Sequence, residues 1–184
     1  MSQKKTIWLI NQYSSTPETA MGGRHFYIAQ ELAKKGHQVY VIAGRYSHLL
    51  RNPKQFSEKY LIEEITPNFS FVWVNLPEYA EAHSKQRVLN WFKFSWVLMG
   101  LKNTIRQKPD VILYSSPSPI GSLAAQYLAK SFKVPFIFEV RDIWPLTLIE
   151  LGGHSANHPF IRLMQWIEDR SYQKARFVFS NLFN

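Results

Sequence analysis

Pro135-Phe136-Ile137-Phe138-Glu139-Val140-Arg141-Asp142-Ile143-Trp144-Pro145 begins as a short apolar run and then changes abruptly to charge, tryptophan and proline. Aromatic and β-branched residues in its first half predict a buried strand. In open parallel α/β sheets ligands collect outside the carboxyl ends of the strands, so Glu139, Arg141 and Asp142 stand where a polar site is expected. Pro145 disfavours the helical region for Trp144 and keeps the strand exit extended. The plain alternative is a capped strand whose Arg and Asp pair with each other or with a neighbouring loop.

Upstream, the same pattern repeats. Thr6 to Asn11 (TIWLIN) reads as a first buried strand, followed by a long polar loop from Gln12 to Met21. Gly22-Gly23-Arg24 then opens an amphipathic helix over His25 to Lys35, with Gly36 placed as its C-cap. His37 to Gly44 is the next strand. Arg45 to Asn68, with Pro53 and Pro67 as breakers, reads as an irregular excursion, and Phe69 to Leu76 returns to strand character. A loop is expected over Pro77 to Ser84.

Lys85 to Lys108 predicts one long helix rich in aromatic residues, all of whose charges are positive. Two readings remain open for it: a crossover helix with solvated lysines, or a helix whose basic, aromatic surface meets a membrane interface. Its charges interrupt every window long enough to span a bilayer. Beyond it, Val111 to Ser116 reads as a strand and Ile120 to Phe132 as a helix with a small-residue face (Gly121, Ser122, Ala124, Ala125, Ala129). After the strand Pro135 to Asp142 and a loop to about Asn157, a helix is expected from His158-Pro159 to Lys174. Phe160, Ile161, Leu163, Met164, Trp166 and Ile167 are its inward residues, and Arg176 to Ser180 forms a last short strand. About six strands alternating with helices predict an α/β, doubly wound, mostly parallel Rossmann-like sheet covered on both faces.

Composition sets the outer limits. The 184 residues suffice for one domain, or one lobe of a larger protein, and the chain has no cysteine, which excludes disulfides and thiolate metal sites. The N-terminal apolar run Ile7 to Ile10 is too short for a signal-peptide core, so a cytoplasmic protein is the default expectation. With 22 basic against 13 acidic residues the formal charge is +9, which predicts an anionic partner: nucleic acid, phospholipid headgroups or a phosphorylated substrate. Nucleic acid is the weakest of these, because no recognition-helix or single-strand platform pattern accompanies the charge.

The chemistry narrows further. His25, His37, His48, His83, His154 and His158 show no ligand spacing, no Gly-x-Ser-x-Gly surrounds a serine, and no Walker lysine or Gly-x-Gly-x-x-Gly is present. Metal and dinucleotide readings are therefore disfavoured. What remains is Gly22-Gly23 at a helix start, where free N–H groups and the helix dipole favour an anion. Both this pair and the Glu139-Arg141-Asp142 cluster belong to the carboxyl edge of one sheet. One would hold a phosphate and the other a neutral polar group such as a sugar hydroxyl.

The order strand, Gly22-Gly23 loop, helix ending Ala33-Lys34-Lys35-Gly36-His37-Gln38-Val39, strand, and then Phe138-Glu139-Val140-Arg141-Asp142-Ile143-Trp144-Pro145, resembles the N-terminal domain of GT-B-fold glycosyltransferases of the family-4 type. It looks closest to bacterial members that build surface polysaccharides, the fucosamine-transferase group among them. The resemblance covers essentially the whole chain, and Glu-Val-Arg-Asp-Ile-Trp-Pro is its specific part. It implies a retaining, metal-independent transfer from a nucleotide sugar to a lipid-linked saccharide acceptor, with no cofactor. With the basic, aromatic helix touching a membrane, the expected location is cytoplasmic, peripheral at the inner face of the cell membrane. Within the resemblance, residues 1–184 form a single acceptor-side domain, inactive alone, whose nucleotide-sugar-binding C-terminal lobe is absent and is supplied by further sequence or a partner chain. Asp142 and Arg141 would be catalytic, and Gly22, Gly23, Arg24 and Glu139 substrate-binding, with the glycine amides on the donor diphosphate. The alternative is a non-catalytic membrane-surface adaptor that recruits a separate catalytic chain.

Overall fold

The computed structural model describes residues 3–79, 85–150 and 155–180. The end of the loop expected over Pro77 to Ser84, the 151–154 stretch of the loop before Asn157, and His83 and His154 lie outside the described residues.

Seven strands form one sheet in the order β3-β4-β2-β1-β5-β6-β7. In chain order the elements are β1 (Thr6–Ile10), α1 (Gly23–Lys34), β2 (Gln38–Gly44), β3 (Tyr60–Thr66), β4 (Phe69–Val74), α2 (Lys85–Leu98), β5 (Val111–Ser115), α3 (Gly121–Phe132), β6 (Phe136–Val140), α4 (Leu146–Glu150), α5 (Pro159–Lys174) and β7 (Phe177–Ser180). Every neighbouring pair is parallel except β3 with β4. This is the doubly wound, mostly parallel α/β sheet that the alternating pattern predicts.

Both faces are covered, and the strands show why they read as apolar runs. On one face Leu9, Val39, Val41, Phe71 and Trp73 pack under Phe26, Ala29 and Ala33 of α1. On the other, Trp8, Ile10, Ile42, Val72 and Tyr114 meet Phe94, Val97 and Leu98 of α2 and Ala124, Ala125 and Leu128 of α3. The expected small-residue face of α3 is buried, and Gly121 lies so close to the Tyr114 ring that no Cβ fits there unshifted. Gly36 takes φ +86° just past α1, as its C-terminal position requires.

Four expectations need correction. The Arg45 to Asn68 excursion contains the edge strand β3, which pairs antiparallel with β4 around the Pro67-Asn68 turn. Its pattern was hidden by Glu63, which shares the sheet face of Leu61 and Ile65 and is held there by Trp73 Nε1 (2.8 Å) and Lys54 Nζ (2.7 Å). The long helix ends at Leu98, with a 3-10 segment over Met99–Asn103, rather than running to Lys108. There the Tyr60 hydroxyl donates to the Val97 carbonyl (2.5 Å), a group that a continuing α-helix would give to Leu101, and the chain tightens. The loop after β6 contains the short helix α4, behind a cis Trp144–Pro145 bond. Finally, α5 buries Ile161, Met164 and Ile167 as expected, but Leu163 and Trp166 face outward, and Glu168 and Ser171 complete the inner stripe. Ser171 earns its burial by hydrogen bonds to Ser122 Oγ (2.8 Å) and Gln126 Nε2 (3.1 Å) of α3.

Candidate functional site

Strand order reverses between β1, whose chain continues to β2, and β5, which continues to β6 on the other side. That reversal is the switch point at which open α/β sheets leave a crevice beyond their carboxyl ends. Three chain segments meet there: the loop leaving β1, the Ser115-Ser116 exit of β5, and the Arg141-Asp142 exit of β6.

The loop after β1 ends on Gly22 and Gly23, at φ +84° and +71°. An L side chain is strained in that region, and a Cβ at Gly22 would also press on Tyr27 Oη (3.2 Å) and Pro17 Cγ (3.3 Å). Helix α1 starts at Gly23 with no side-chain cap, so its first N–H groups are not taken by a capping oxygen. The first turn has no acidic residue and carries Arg24.

Arg24 forms an ion pair with Glu139 Oε1, and the other carboxylate oxygen lies 2.7 Å from His25 Nε2. His25 Nδ1 in turn lies 2.8 Å from Asn11 Nδ2. Glu139 is only 1 % exposed, so this run of four residues ties β6 to α1 and to the end of β1 through the interior. His25 is pushed down to about 3 by burial first and then by the nearby charges of Arg24 and Arg141. It is therefore a neutral imidazole at any physiological pH.

At the exit of β6, the Arg141 backbone N–H donates to Ser116 Oγ (3.0 Å), and Trp144 Nε1 donates to the Ser116 carbonyl (3.0 Å). The Trp144 N–H donates to Glu168 Oε1 of α5 (3.0 Å). Asp142 sits between these anchors. Desolvation raises its carboxyl above the usual range, against the lowering influence of Arg141 and Arg87. Arg87 reaches the crevice from α2: its Nε donates to Tyr13 Oη (3.2 Å), which also accepts from Trp91 Nε1 (2.7 Å). Arg87 further stacks over the Tyr13 ring at 5.6 Å.

Among the described residues, Gln12 Oε1, Ser14 Oγ, Ser115 Oγ and Ser118 Oγ are buried without a hydrogen-bond partner, and all four follow or end β1 and β5. Buried polar atoms so placed cost about 1–3 kcal/mol each until something polar meets them. Also among the described residues, no three His, Asp or Glu side chains group as metal ligands.

Of the six residues singled out from the sequence, Arg24 and Glu139 are ion-paired, the Arg141 charge acts on both Arg24 and Asp142, and Gly22 and Gly23 lead directly into Arg24. Glu139 differs from the rest in being buried and wholly engaged with protein partners. Sequence reasoning missed Asn11, Tyr13, His25, Arg87 and Ser116. Only His25 carried a signal, as a polar residue on the buried stripe of α1 with Ala29 and Ala33.

This is a Rossmann-like, doubly wound sheet with the candidate site at its switch point. The chain belongs to the family of glycosyl transferase 4-like domains, which matches residues 22–181. Among solved structures, Arabidopsis thaliana UGT89C1 complexed with UDP-L-rhamnose superposes with a TM-score of 0.56 at 14 % identity, over 99 % of this chain and 43 % of that one. An α,α-trehalose-phosphate synthase (UDP-forming) from Burkholderia vietnamiensis superposes with a TM-score of 0.58 at 10 % identity, over 96 % and 40 %. These likenesses show the fold. This chain spans about two fifths of the length of either structure. No curated protein sequence matches it.

Proposed function

We propose that this domain is the acceptor-side lobe of a retaining, metal-independent glycosyltransferase. It moves a sugar from a nucleotide sugar to a lipid-linked saccharide during surface polysaccharide synthesis, and works against a second lobe that binds the nucleotide. The observation that carries this reading is the meeting, at the switch point, of an uncapped double-glycine helix start, two arginines and a half-buried aspartate. Gly22 and Gly23 let the leaving diphosphate approach the first N–H groups of α1, and Arg24 adds a positive charge beside them. Asp142 faces the transferred sugar, holding a hydroxyl or countering the positive charge that develops as the anomeric bond to the diphosphate breaks. Arg141 completes the wall. A UDP-sugar is the donor class to test first, since UGT89C1 is complexed with UDP-L-rhamnose and the trehalose-phosphate synthase is UDP-forming.

The lipid side of this reading rests on α2. Between Lys85 and Phe138 the sequence has eight lysines and arginines and a single acid, Asp110. Leu89, Phe92 and Trp96 lie exposed along one stripe of the helix, with Lys85 and Lys93 beside them. A positive surface bearing a bulky apolar stripe fits the cytoplasmic face of an anionic bilayer. No helix of the described residues is long and apolar enough to cross a membrane.

The test is sugar transfer by the protein carrying both lobes, with a panel of nucleotide sugars and a polyprenyl-diphosphate saccharide. Asp142→Asn, which keeps shape and removes charge, is expected to lower kcat/KM by about 100-fold, in the range of a lost electrostatic stabiliser. Transfer that tolerates Asp142→Asn would instead fit the adaptor.

A further inference from the structure

Glu139 is too deeply buried to touch a substrate, yet it holds a group that is not. Of its two oxygens, Oε1 takes Arg24 and Oε2 faces His25 Nε2 at 2.7 Å. The Arg24 side chain stays 38 % exposed, so Glu139 does not enclose it. Arginine has five N–H donors in a fixed fork, and those not aimed at Glu139 can serve an oxyanion.

The His25 tautomer follows from its neighbours. Asn11 Oδ1 accepts the Tyr13 backbone N–H (3.0 Å), which turns the Asn11 amide nitrogen towards His25. That nitrogen only donates, so His25 Nδ1 accepts and Nε2–H donates to Glu139. The imidazole therefore orients the carboxylate without sharing its charge. The full negative charge of Glu139 is left for Arg24, whose near neighbour Arg141 would otherwise repel it.

We propose that Glu139 and His25 are positioning residues for Arg24. They fix its guanidinium beside the Gly22-Gly23 turn so that it meets a phosphoryl oxygen of the donor diphosphate with the N–H groups that Glu139 leaves unused. This rests on the transferase reading above. It gives the Glu of the Glu-Val-Arg-Asp string a role distinct from that of Arg141 and Asp142, and it explains why one histidine, far away in sequence, is buried on α1.

Pyrophosphate titration of the chain, followed by the side-chain Nε resonance of Arg24, tests the assignment. Wild type should bind with a shift of that resonance, and Arg24→Gln should lose most of the affinity. Glu139→Gln should weaken binding about tenfold, the usual scale for a lost charged partner in a positioned pair. His25→Gln can accept from Asn11 and donate to Glu139 in the same way, so it should stay within about threefold of wild type, whereas His25→Phe, of similar size, should fall with Glu139→Gln. In the two-lobed protein the same variants should raise KM for the nucleotide sugar and leave acceptor KM unchanged, a split that general destabilisation does not produce. Glu139→Gln binding as tightly as wild type, or His25→Phe matching His25→Gln, overturns the positioning role while leaving the transferase reading intact. If Glu139→Gln does not fold, the two His25 variants decide. Wild type that neither binds pyrophosphate nor transfers sugar overturns the reading beneath it.

Discussion

Removing one side chain, Trp96, tests the membrane-facing assignment of α2 quantitatively. Its side chain is 72 % exposed and touches little that folding needs. A tryptophan carries up to about 250 Å² of surface, so roughly 180 Å² is available to a bilayer. At about 25 cal/mol per Å² full immersion would be worth about 4.5 kcal/mol. An interfacial helix sinks its apolar face only some 5–10 Å, which immerses about half of that surface and leaves about 2 kcal/mol. Trp96→Ala should therefore weaken partitioning onto vesicles about 30-fold. The assay is co-sedimentation with vesicles containing an anionic phospholipid, against vesicles of phosphatidylcholine alone. Lys93→Glu, on the same exposed side, should lose affinity only for the anionic vesicles, and progressively less as salt is raised. Unchanged partitioning of Trp96→Ala, or equal binding of wild type to both vesicle types, would refute the assignment. Since the Trp96 indole lies outside the core, thermal stability should remain at the wild-type value in either case.

The buried imidazole gives an acid dependence of defined sign. His25 holds about 3 in the folded chain against an ordinary 6.5, so between those values the unfolded chain binds a proton that the folded chain does not. Stability should fall as pH drops through that window, by roughly 3 kcal/mol between pH 7 and pH 4 from this group, and urea unfolding of His25→Gln should show that slope removed. Gly121→Ala places a methyl against the Tyr114 hydroxyl and, at 3.0 Å, its ring carbon Cε2. It should cost about 1–3 kcal/mol and lower Tm by several degrees in thermal circular dichroism, and an unchanged Tm would mean that α3 yields. If Asp142 acts ionised, its raised carboxyl should move the acid limb of kcat/KM above the usual aspartate range, and Asp142→Asn should erase that limb.

Strands buried on both faces were readable because nothing polar interrupts them: Val39 to Ala43 and Phe69 to Val74 carry a single serine between them. β3 was not, because a half-exposed edge strand tolerates Glu63 and Glu64, and its one inward carboxylate is satisfied by residues from elsewhere. The end of α2 was equally invisible, being set by Tyr60 from β3, 37 positions away. Gly22, Gly23, Arg141 and Asp142 were legible because strand ends and a glycine pair fix their place by topology alone. His25 was not: its partner stands 114 positions away. The hint lay in two anomalies taken together, a histidine on the buried stripe of one helix and a glutamate inside an apolar strand. Each is costly alone and satisfied by the other.

The Glu-Val-Arg-Asp-Ile-Trp-Pro string divides its labour by burial. Its two ends are anchors: Glu139 is locked to Arg24 and His25, and Trp144 packs edge-on against Trp91 at 5.5 Å while bonding Ser116 and Glu168. Between them, Ser116 also receives the Arg141 N–H on its hydroxyl, and its own N–H donates to the Glu139 carbonyl at 3.0 Å. The backbone that presents Arg141 and Asp142 is thus fastened on both sides to β5 and α5, and little of it is left to a free loop. In the transferase role proposed for Asp142, a half-buried carboxylate would gain from such fastening, because its environment need not reorganise when charge develops opposite it. The same fastening explains why the string reads as a unit: exchanging either anchor would disturb the two charged residues without touching them.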